Sequence, residues 1–141
     1  MSAPKPDPTA PSSIEIGLPV ASLPPMRHFY ASILGLEPAG RTSLNGTQIE
    51  AFRFGNSVLK LSYFAQAEVR PEPHPVEFKN GYLTLRVTDA EATVNRCESE
   101  GVRVVRPLGE AVMGSGKRVK FAFVGDPMGN AIEIVEGDAW S

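Results

Sequence analysis

The chain has 141 residues, of which 42% are hydrophobic and 21% are charged, and its formal net charge is -2. This length and composition suit one globular domain with a sizeable core. No basic stripe is present, so nucleic acid is not expected as a partner, and no apolar run approaches the roughly 20 residues of a membrane span. The single cysteine, Cys97, allows no intrachain disulfide and favours a cytoplasmic location.

The first elements along the chain are predicted to be a tail, a strand and a helix. Residues 1–13 are rich in proline and lack the apolar centre of a signal peptide, which indicates a disordered tail. Residues 14–20 alternate branched apolar side chains with others, as a strand does. A helix is expected to begin after the N-cap Ser22, to hold two prolines in its first turn and to end at Gly35.

Three strands joined by two hairpin turns are predicted to follow the helix. The turns are indicated by Asn45-Gly46 and Gly55-Asn56, since asparagine and glycine tolerate the positive φ angles of tight hairpins. The three strands are expected at residues 37–42, 48–54 and 57–63.

The same order of elements is predicted to begin again after a proline-rich stretch. A strand at residues 81–87 leads to a helix from the N-cap Asp89 to about Glu100, with Gly101 at its end. The remaining elements are expected to be a strand at 102–107, a loop at 108–117 and a closing hairpin of 118–124 and 130–136 around Asp126-Pro127-Met128-Gly129-Asn130.

This repetition predicts an α+β fold in which two βαβββ modules form a cupped mixed β-sheet with a central cleft. Each module alone buries little apolar surface, so the two are expected to pair. The expected boundaries are a disordered tail at 1–13, a first module at 14–69, a connector at 70–80, a second module at 81–137 and a C-terminal tail at 138–141.

Glu133 is the first candidate for a functional residue. The strict alternation of the last strand places Ile132 and Ile134 on one side and Glu133 with Ala131 and Val135 on the other. A carboxylate among apolar neighbours is paired, protonated or functional.

The βαβββ repeat resembles the vicinal oxygen chelate superfamily, which includes glyoxalase I, the bleomycin-resistance proteins and the extradiol dioxygenases. The resemblance covers about residues 14–136 and is specific for the fold, whereas one such scaffold hosts many chemistries. Three stretches carry it: Ile16-Gly17-Leu18-Pro19-Val20 through Phe29-Tyr30 to Leu34-Gly35-Leu36, then Leu83-Thr84-Leu85-Arg86-Val87-Thr88-Asp89, then Asp126-Pro127-Met128-Gly129-Asn130 with Ile132-Glu133-Ile134.

The resemblance implies a homodimer, with the cleft built within or across chains, and a small-molecule substrate or ligand. Members of the superfamily usually hold a divalent metal with four inward-facing strand residues, and those positions carry over to Glu15, Lys60, Tyr82 and Glu133. None of the four is a histidine, and a lysine ammonium repels a cation. No metal or other cofactor is therefore expected, with Glu15 and Glu133 as weak candidate ligands. These two carboxylates are expected to flank Lys60 instead.

Acid–base chemistry without a metal is the first functional hypothesis. Glu15 or Glu133 would take a proton next to a carbonyl and Lys60 would stabilise the enolate, as in an isomerase, epimerase or lyase. Tyr82 is a candidate hydrogen-bond donor to the substrate, and Arg86, on the same side of its strand, is a candidate for binding an anionic substrate. In the competing interpretation, these charged residues form an ion-pair network that only supports the fold.

The second hypothesis is a non-catalytic protein that binds a small molecule such as an antibiotic, like the bleomycin-resistance members. Such a cleft needs aromatic walls, for which the sequence offers Phe52, Phe54, Tyr63 and Phe121. A third hypothesis is a glyoxalase with a weakly held metal.

Five other features attract attention without deciding the function. His28 is expected to be structural or solvated, and Cys97 to be a small buried hydrophobic residue. His74 lies in the connector, and the sequence leaves its role and that of Trp140 open. Gly114-Ser115-Gly116-Lys117 lacks the context of a phosphate-binding loop, because a strand and not a helix follows, so a flexible loop bordering the cleft is expected.

Overall fold

The structure is a computed structural model, and it describes Thr9 and residues 14–64, 76–78 and 81–138. Most of the predicted tail and of the connector, including His74, lies outside the described residues, as does Trp140. In the part that the structure describes, no helix is long and apolar enough to cross a membrane.

Two modules with the same order of elements follow each other along the described chain. The first contains β1 (Glu15–Val20), α1 (Leu23–Arg27), a π-helical segment (His28–Ile33), β2 (Glu37–Leu44), β3 (Thr47–Phe54) and β4 (Ser57–Tyr63). The second contains β5 (Leu83–Arg86), α2 (Ala90–Ser99), β6 (Arg103–Val112), β7 (Arg118–Gly125) and β8 (Ala131–Glu136).

Each module forms one four-stranded mixed sheet, with the orders β1-β4-β3-β2 and β5-β8-β7-β6. The first strand of each module runs parallel to the last, and the other neighbours are antiparallel. The predicted α+β fold of two βαβββ modules is confirmed. The turns follow their local sequence: Asn45 and Gly46 have positive φ angles of 50° and 82° in the turn between β2 and β3.

The first helix differs from the uniform α-helix that its apolar spacing predicts. Within this predicted helix only α1 is α-helical. The backbone then widens into a π-helical segment in which the amide of Leu34 donates to the carbonyl of Phe29. This segment buries Phe29, Tyr30 and Ile33 together. Ser22 has the extended backbone of an N-cap, but its side chain makes no capping hydrogen bond. Asp89, by contrast, caps α2 as predicted, since its side chain accepts from the amide of Ala92.

Strand β6 extends to Val112 through residues 108–112, which corrects the prediction of a loop beginning at 108. Pro107 has no amide hydrogen for the ladder, and the register with β7 shifts between Arg106 and Gly109, so the proline is accommodated as an irregularity within the strand. Residues 113–117 form only the tight turn between β6 and β7, closed by the amide of Met113 donating to the carbonyl of Lys117.

One apolar core joins the two modules. It combines the inner faces of both sheets with residues of both helices, so the opposite face of each sheet remains outside this core. Its members include Met26, Phe29, Tyr30, Phe52, Leu59, Leu61, Leu85, Cys97, Val124, Ile132 and Ile134.

A buried polar contact crosses between the modules. The hydroxyl of Tyr30 donates to Asp126 Oδ2 at 2.7 Å, and Asp126 is only 1% exposed. Asp126 also accepts from the backbone amides of Met128 and Asn130 and from the side-chain amide of Asn130. These four donors satisfy the carboxylate, so the turn after β7 is tied to the first helix.

Candidate functional site

Glu15 and Lys60 form an ion pair on the face of the first sheet that points away from the core. In the parallel pairing of β1 with β4, Gly17 lies opposite Lys60, and Leu59 and Leu61 point to the core on either side of Lys60. Lys60 Nζ lies 3.4 Å from Glu15 Oε1, with both side chains partly exposed. The structure therefore brings together these two predicted site residues.

Glu133 lies on the last strand of the second module, as Lys60 does in the first, but it has a different kind of partner. It lies opposite Thr84 in the pairing of β5 with β8, and the Thr84 hydroxyl donates to Glu133 Oε1 at 2.9 Å. Among the described residues, no ion pair joins Glu133 to Lys60, which corrects the expectation that Glu15 and Glu133 flank the lysine. Lys60 and Glu133 lie on separate sheets of the chain. Thr84 was not predicted as a site residue, although its period-two spacing from Tyr82 puts it on this face.

An aromatic cluster of Phe78, Tyr82, Phe121 and Phe123 lies beside Glu133. Phe123 is the direct neighbour of Glu133 across the β7–β8 ladder, and its ring centroid is 5.2 Å from those of both Phe78 and Tyr82. Tyr82 is 53% exposed and Phe78 is 43% exposed. Phe121 and Phe123 are half-buried. A partly exposed set of rings in edge-to-face contact is suited to hold a flat or apolar ligand.

Arg106 adds a cation to this surface. Its guanidinium carbon lies 4.1 Å from the centroid of the Phe121 ring, a distance typical of a cation–π contact. Arg106 lies opposite Phe123 on the neighbouring strand, close to the irregular part of β6. Arg106 could not be predicted from alternation, because the register shift around Pro107 decides which side chains of β6 share this face.

The predicted aromatic wall is wrong for three of its four members. Phe52 lies opposite Leu59 and is 2% exposed within the core, and Phe54 packs against the same core. Tyr63 is partly exposed, but it pairs with Val20 and so lies on the core-facing side of its sheet, away from Lys60. Alternation correctly groups these side chains, but the helix that covers one face of the sheet decides which group is buried.

Arg86 lies on the Glu133 face, as its spacing from Tyr82 and Thr84 predicts. Its Nε donates to the carbonyl of Gly137 at 2.8 Å, and its Nη1 lies 3.9 Å from Asp138. Part of its hydrogen-bonding capacity therefore holds the segment after β8, and a role in substrate binding stays a prediction.

The four positions that hold a metal in the resembled superfamily do not fit a divalent cation here. An ammonium group, Lys60, is paired with Glu15, and Glu133 receives a hydroxyl hydrogen bond in the other sheet. Tyr82 belongs to the aromatic cluster. No group of three or more His, Cys, Asp or Glu side chains converges anywhere in the described ranges. This geometry gives no support to the hypothesis of a weak-metal glyoxalase.

The fold and this pair of strand faces agree with a sequence-family match. The model of the Glyoxalase/Bleomycin resistance protein/Dioxygenase superfamily matches residues 13–134, which is most of the chain. The chain belongs to this superfamily. The resemblance seen in the sequence is thereby confirmed. No curated protein matches the chain.

Solved structures of the same superfamily fold resemble the chain along nearly its whole length. Lactoylglutathione lyase from Agrobacterium tumefaciens is 24% identical, with a TM-score of 0.62 over 94% of this chain and 98% of that one. The trypanothione-dependent glyoxalase I of Leishmania major is 19% identical, with a TM-score of 0.66 over 90% of this chain and 87% of that one. A glyoxalase/bleomycin resistance protein/dioxygenase from Alicyclobacillus acidocaldarius is 16% identical, with a TM-score of 0.63 over 89% and 91%. Identities this low show the fold alone.

Proposed function

We propose that the protein is a metal-independent enzyme that acts on a small oxygenated substrate by proton transfer, as an isomerase, epimerase or lyase does. The observation that carries this proposal is the setting of Glu133. Its carboxylate is fixed by the Thr84 hydroxyl, has no cationic partner among the described residues and adjoins the exposed aromatic cluster. Glu15 is the weaker candidate for the base, because it is already paired with Lys60.

In the proposed reaction, Glu133 removes a proton from a carbon next to a carbonyl group. The electrons of the broken C–H bond move to the carbonyl oxygen and form an enolate. The bond from Thr84 occupies Oε1, so the other oxygen is left to take the proton in a fixed direction. Return of the proton to the other face of the same carbon gives epimerisation. Where that carbon carries a hydroxyl group, transfer of the hydroxyl proton to the former carbonyl oxygen and protonation of the former carbonyl carbon give isomerisation. Departure of a β-substituent with its bonding electrons, as the enolate returns to a carbonyl group, is the reaction of a lyase.

A second copy of the chain is the proposed source of the positive charge that the enolate needs. Lys60 and Glu133 lie on different sheets, each on the face that points away from the common core. In a homodimer, the first module of one copy can face the second module of the other and bring the ammonium to the enolate oxygen. Tyr82 is then placed to donate a hydrogen bond to the same substrate, since it contacts Phe123 beside Glu133.

The test is the exchange of carbon-bound hydrogen in candidate substrates for deuterium from the solvent. Purified protein is incubated in deuterated buffer with a panel of 2-hydroxy ketones, 2-oxo acids and 3-oxo acids, and deuterium incorporation is followed by NMR. Glu133→Gln should slow the exchange by about 100-fold or more, the usual contribution of a general base. The matched control is Glu110→Gln, which removes an exposed carboxylate from β6 and should leave the rate unchanged. Equal rates for wild type and Glu133→Gln would contradict the proposal.

A binding protein without turnover is the second candidate, and the exposed aromatic cluster with Arg106 favours it. Here the rings would hold a flat ligand and Glu133 would only contribute polarity. The two candidates separate by variant: for a binding protein, Phe123→Ala should weaken ligand binding about tenfold or more while Glu133→Gln leaves it nearly unchanged. Compounds are first screened for those that raise the midpoint temperature of thermal unfolding. Their binding is then measured by titration calorimetry.

A further inference from the structure

A second charged cluster lies on the other side of the first sheet, between α1 and the β2–β3 hairpin. Its centre is Glu50, which is only 5% exposed. Arg27 binds this carboxylate with two nitrogens: Nε lies 3.1 and 2.9 Å from its two oxygens, and Nη2 lies 2.6 Å from Oε1. Arg41 approaches the same carboxylate with Nε at 3.3 Å from Oε1.

The cluster has two guanidinium groups and one carboxylate, and so carries a net positive charge. The fork of Arg27 by itself neutralises and hydrogen-bonds the carboxylate. Arg41 brings a second guanidinium group close to the first, and within the described part of the chain Glu50 is its one ion-pair partner. The Arg41 side chain is 73% exposed, so its outer nitrogens are available to a ligand.

Two cavities meet at these three side chains. The first, of about 520 Å³, is lined by the three charged residues and by neighbours that include Ser43 and Gln48, and Glu50 is the one acidic residue among the described residues that line it. The second, of about 230 Å³, is lined by the same three and by Ala31, Ser32, Pro38, Gly40, Ala51 and Phe52. One side of the cluster is thus polar and the other is mainly apolar.

We propose that this groove binds a small amphipathic organic anion. A carboxylate or phosphate group contacts the guanidinium groups of Arg27 and Arg41, and the apolar part of the molecule lies along Ala31 and Pro38. Arginine forks suit both kinds of oxyanion, and Glu50 holds them in place before the ligand arrives. In the β3–β4 pairing Glu50 lies opposite Leu61, a core residue, so this groove is on the opposite face from Lys60 and is separate from the proposed catalytic surface.

The experiment uses benzoate and phenyl phosphate as probes and benzyl alcohol as their uncharged counterpart. Isotope-labelled full-length protein is titrated at low ionic strength, where charge contacts are least screened, and amide resonances are followed by NMR. Saturable shifts at residues 41–43 and 48–50 are expected with at least one anion and not with the alcohol. If benzoate alone or phenyl phosphate alone binds, the ligand class is narrowed to that oxyanion. Absence of such shifts with both anions, or shifts of the same size with benzyl alcohol, would overturn the proposal.

A matched pair of variants separates a site from general charge attraction. Arg41→Gln should raise the dissociation constant of the bound anion roughly tenfold, as expected for loss of one charge-assisted contact. Arg53→Gln removes the same charge from an exposed position on β3 and should change it less than about twofold. Equal weakening by both variants would overturn the proposal. Arg41→Lys should give an intermediate constant, since it keeps the charge without the fork. Glu133→Gln should leave anion binding unchanged, so that a failure of the proposed catalytic function can be distinguished from a failure of the proposed anion site.

Discussion

The hydroxyl of Tyr30 is one of four donors on the buried carboxylate of Asp126. Replacing it leaves that carboxylate one donor short in a site without solvent. Tyr30→Phe should therefore lower the free energy of unfolding by about 1–3 kcal/mol, as measured by urea denaturation. Tyr63→Phe is the control, because Tyr63 is 36% exposed, and it should change stability by no more than about 0.5 kcal/mol. Similar losses in both variants would contradict the role given to Tyr30.

The same residue predicts how stability depends on alkaline pH. Burial raises the pKa of the Tyr30 hydroxyl well above its ordinary value, and the charge of Asp126 raises it further. A tyrosine whose pKa is raised by folding contributes stability that is complete below the ordinary pKa of about 10 and is lost as the pH rises beyond it. Between about pH 8 and about pH 11, wild type should lose more unfolding free energy than Tyr30→Phe does. Parallel curves for the two proteins would show that this hydroxyl does not titrate with unfolding.

Among the elements, the segment 76–78 docks against the turn between β7 and β8. The amide of Glu77 donates to the carbonyl of Gly129 at 2.9 Å, and Val76 packs directly on Gly125, where a Cβ atom would overlap the Val76 side chain. Gly125→Ala should thus displace Val76 and cost about 1–3 kcal/mol of unfolding free energy. In Gly109→Ala the added Cβ meets no atom within 4 Å, so its denaturation curve should stay close to that of wild type. Equal curves for Gly125→Ala and wild type would refute this close packing.

The elements also show which parts of the secondary structure follow from local sequence. Asn45-Gly46 and Asp89 act locally, as a turn and a helix cap, and the structure has both where the sequence predicts them. The π-helical segment and the extension of β6 past Pro107 do not follow from local preferences. Both depend on partners elsewhere: the core that receives Phe29 and Tyr30, and the strand β7 that keeps β6 paired through its irregular part.

At the scale of the whole molecule, the exposed aromatic cluster predicts association of two copies. Rings as exposed as Tyr82, at 53%, are covered when a partner's strand face lies over them. Wild-type protein should sediment as a dimer, and Tyr82→Asp should raise the dimer dissociation constant at least about tenfold. The control Val112→Asp, at a side chain that is 61% exposed at the end of β6, should sediment like wild type. If the wild type were monomeric, no second copy could supply the Lys60 ammonium group to the enolate, and this part of the proposed function would be wrong.

The sequence by itself determined the two-module architecture, the principal turns and the alternation that separates Glu133 from Ile132 and Ile134. These depend on backbone angles and on period-two geometry, which act within a few residues. Glu15 and Lys60 were selected by the resemblance to the superfamily, and the parallel pairing of β1 with β4 brings their side chains into contact.

Only the tertiary structure decided which partner each charged or aromatic side chain has. Glu133 contacts Thr84 and not Lys60, Phe52 is in the core, and Tyr30 meets Asp126 from the other module. A strand pattern shows which side chains share a face, but the energy of burying that face depends on what packs against it. That packing is set by residues distant along the chain, so local sequence does not specify it.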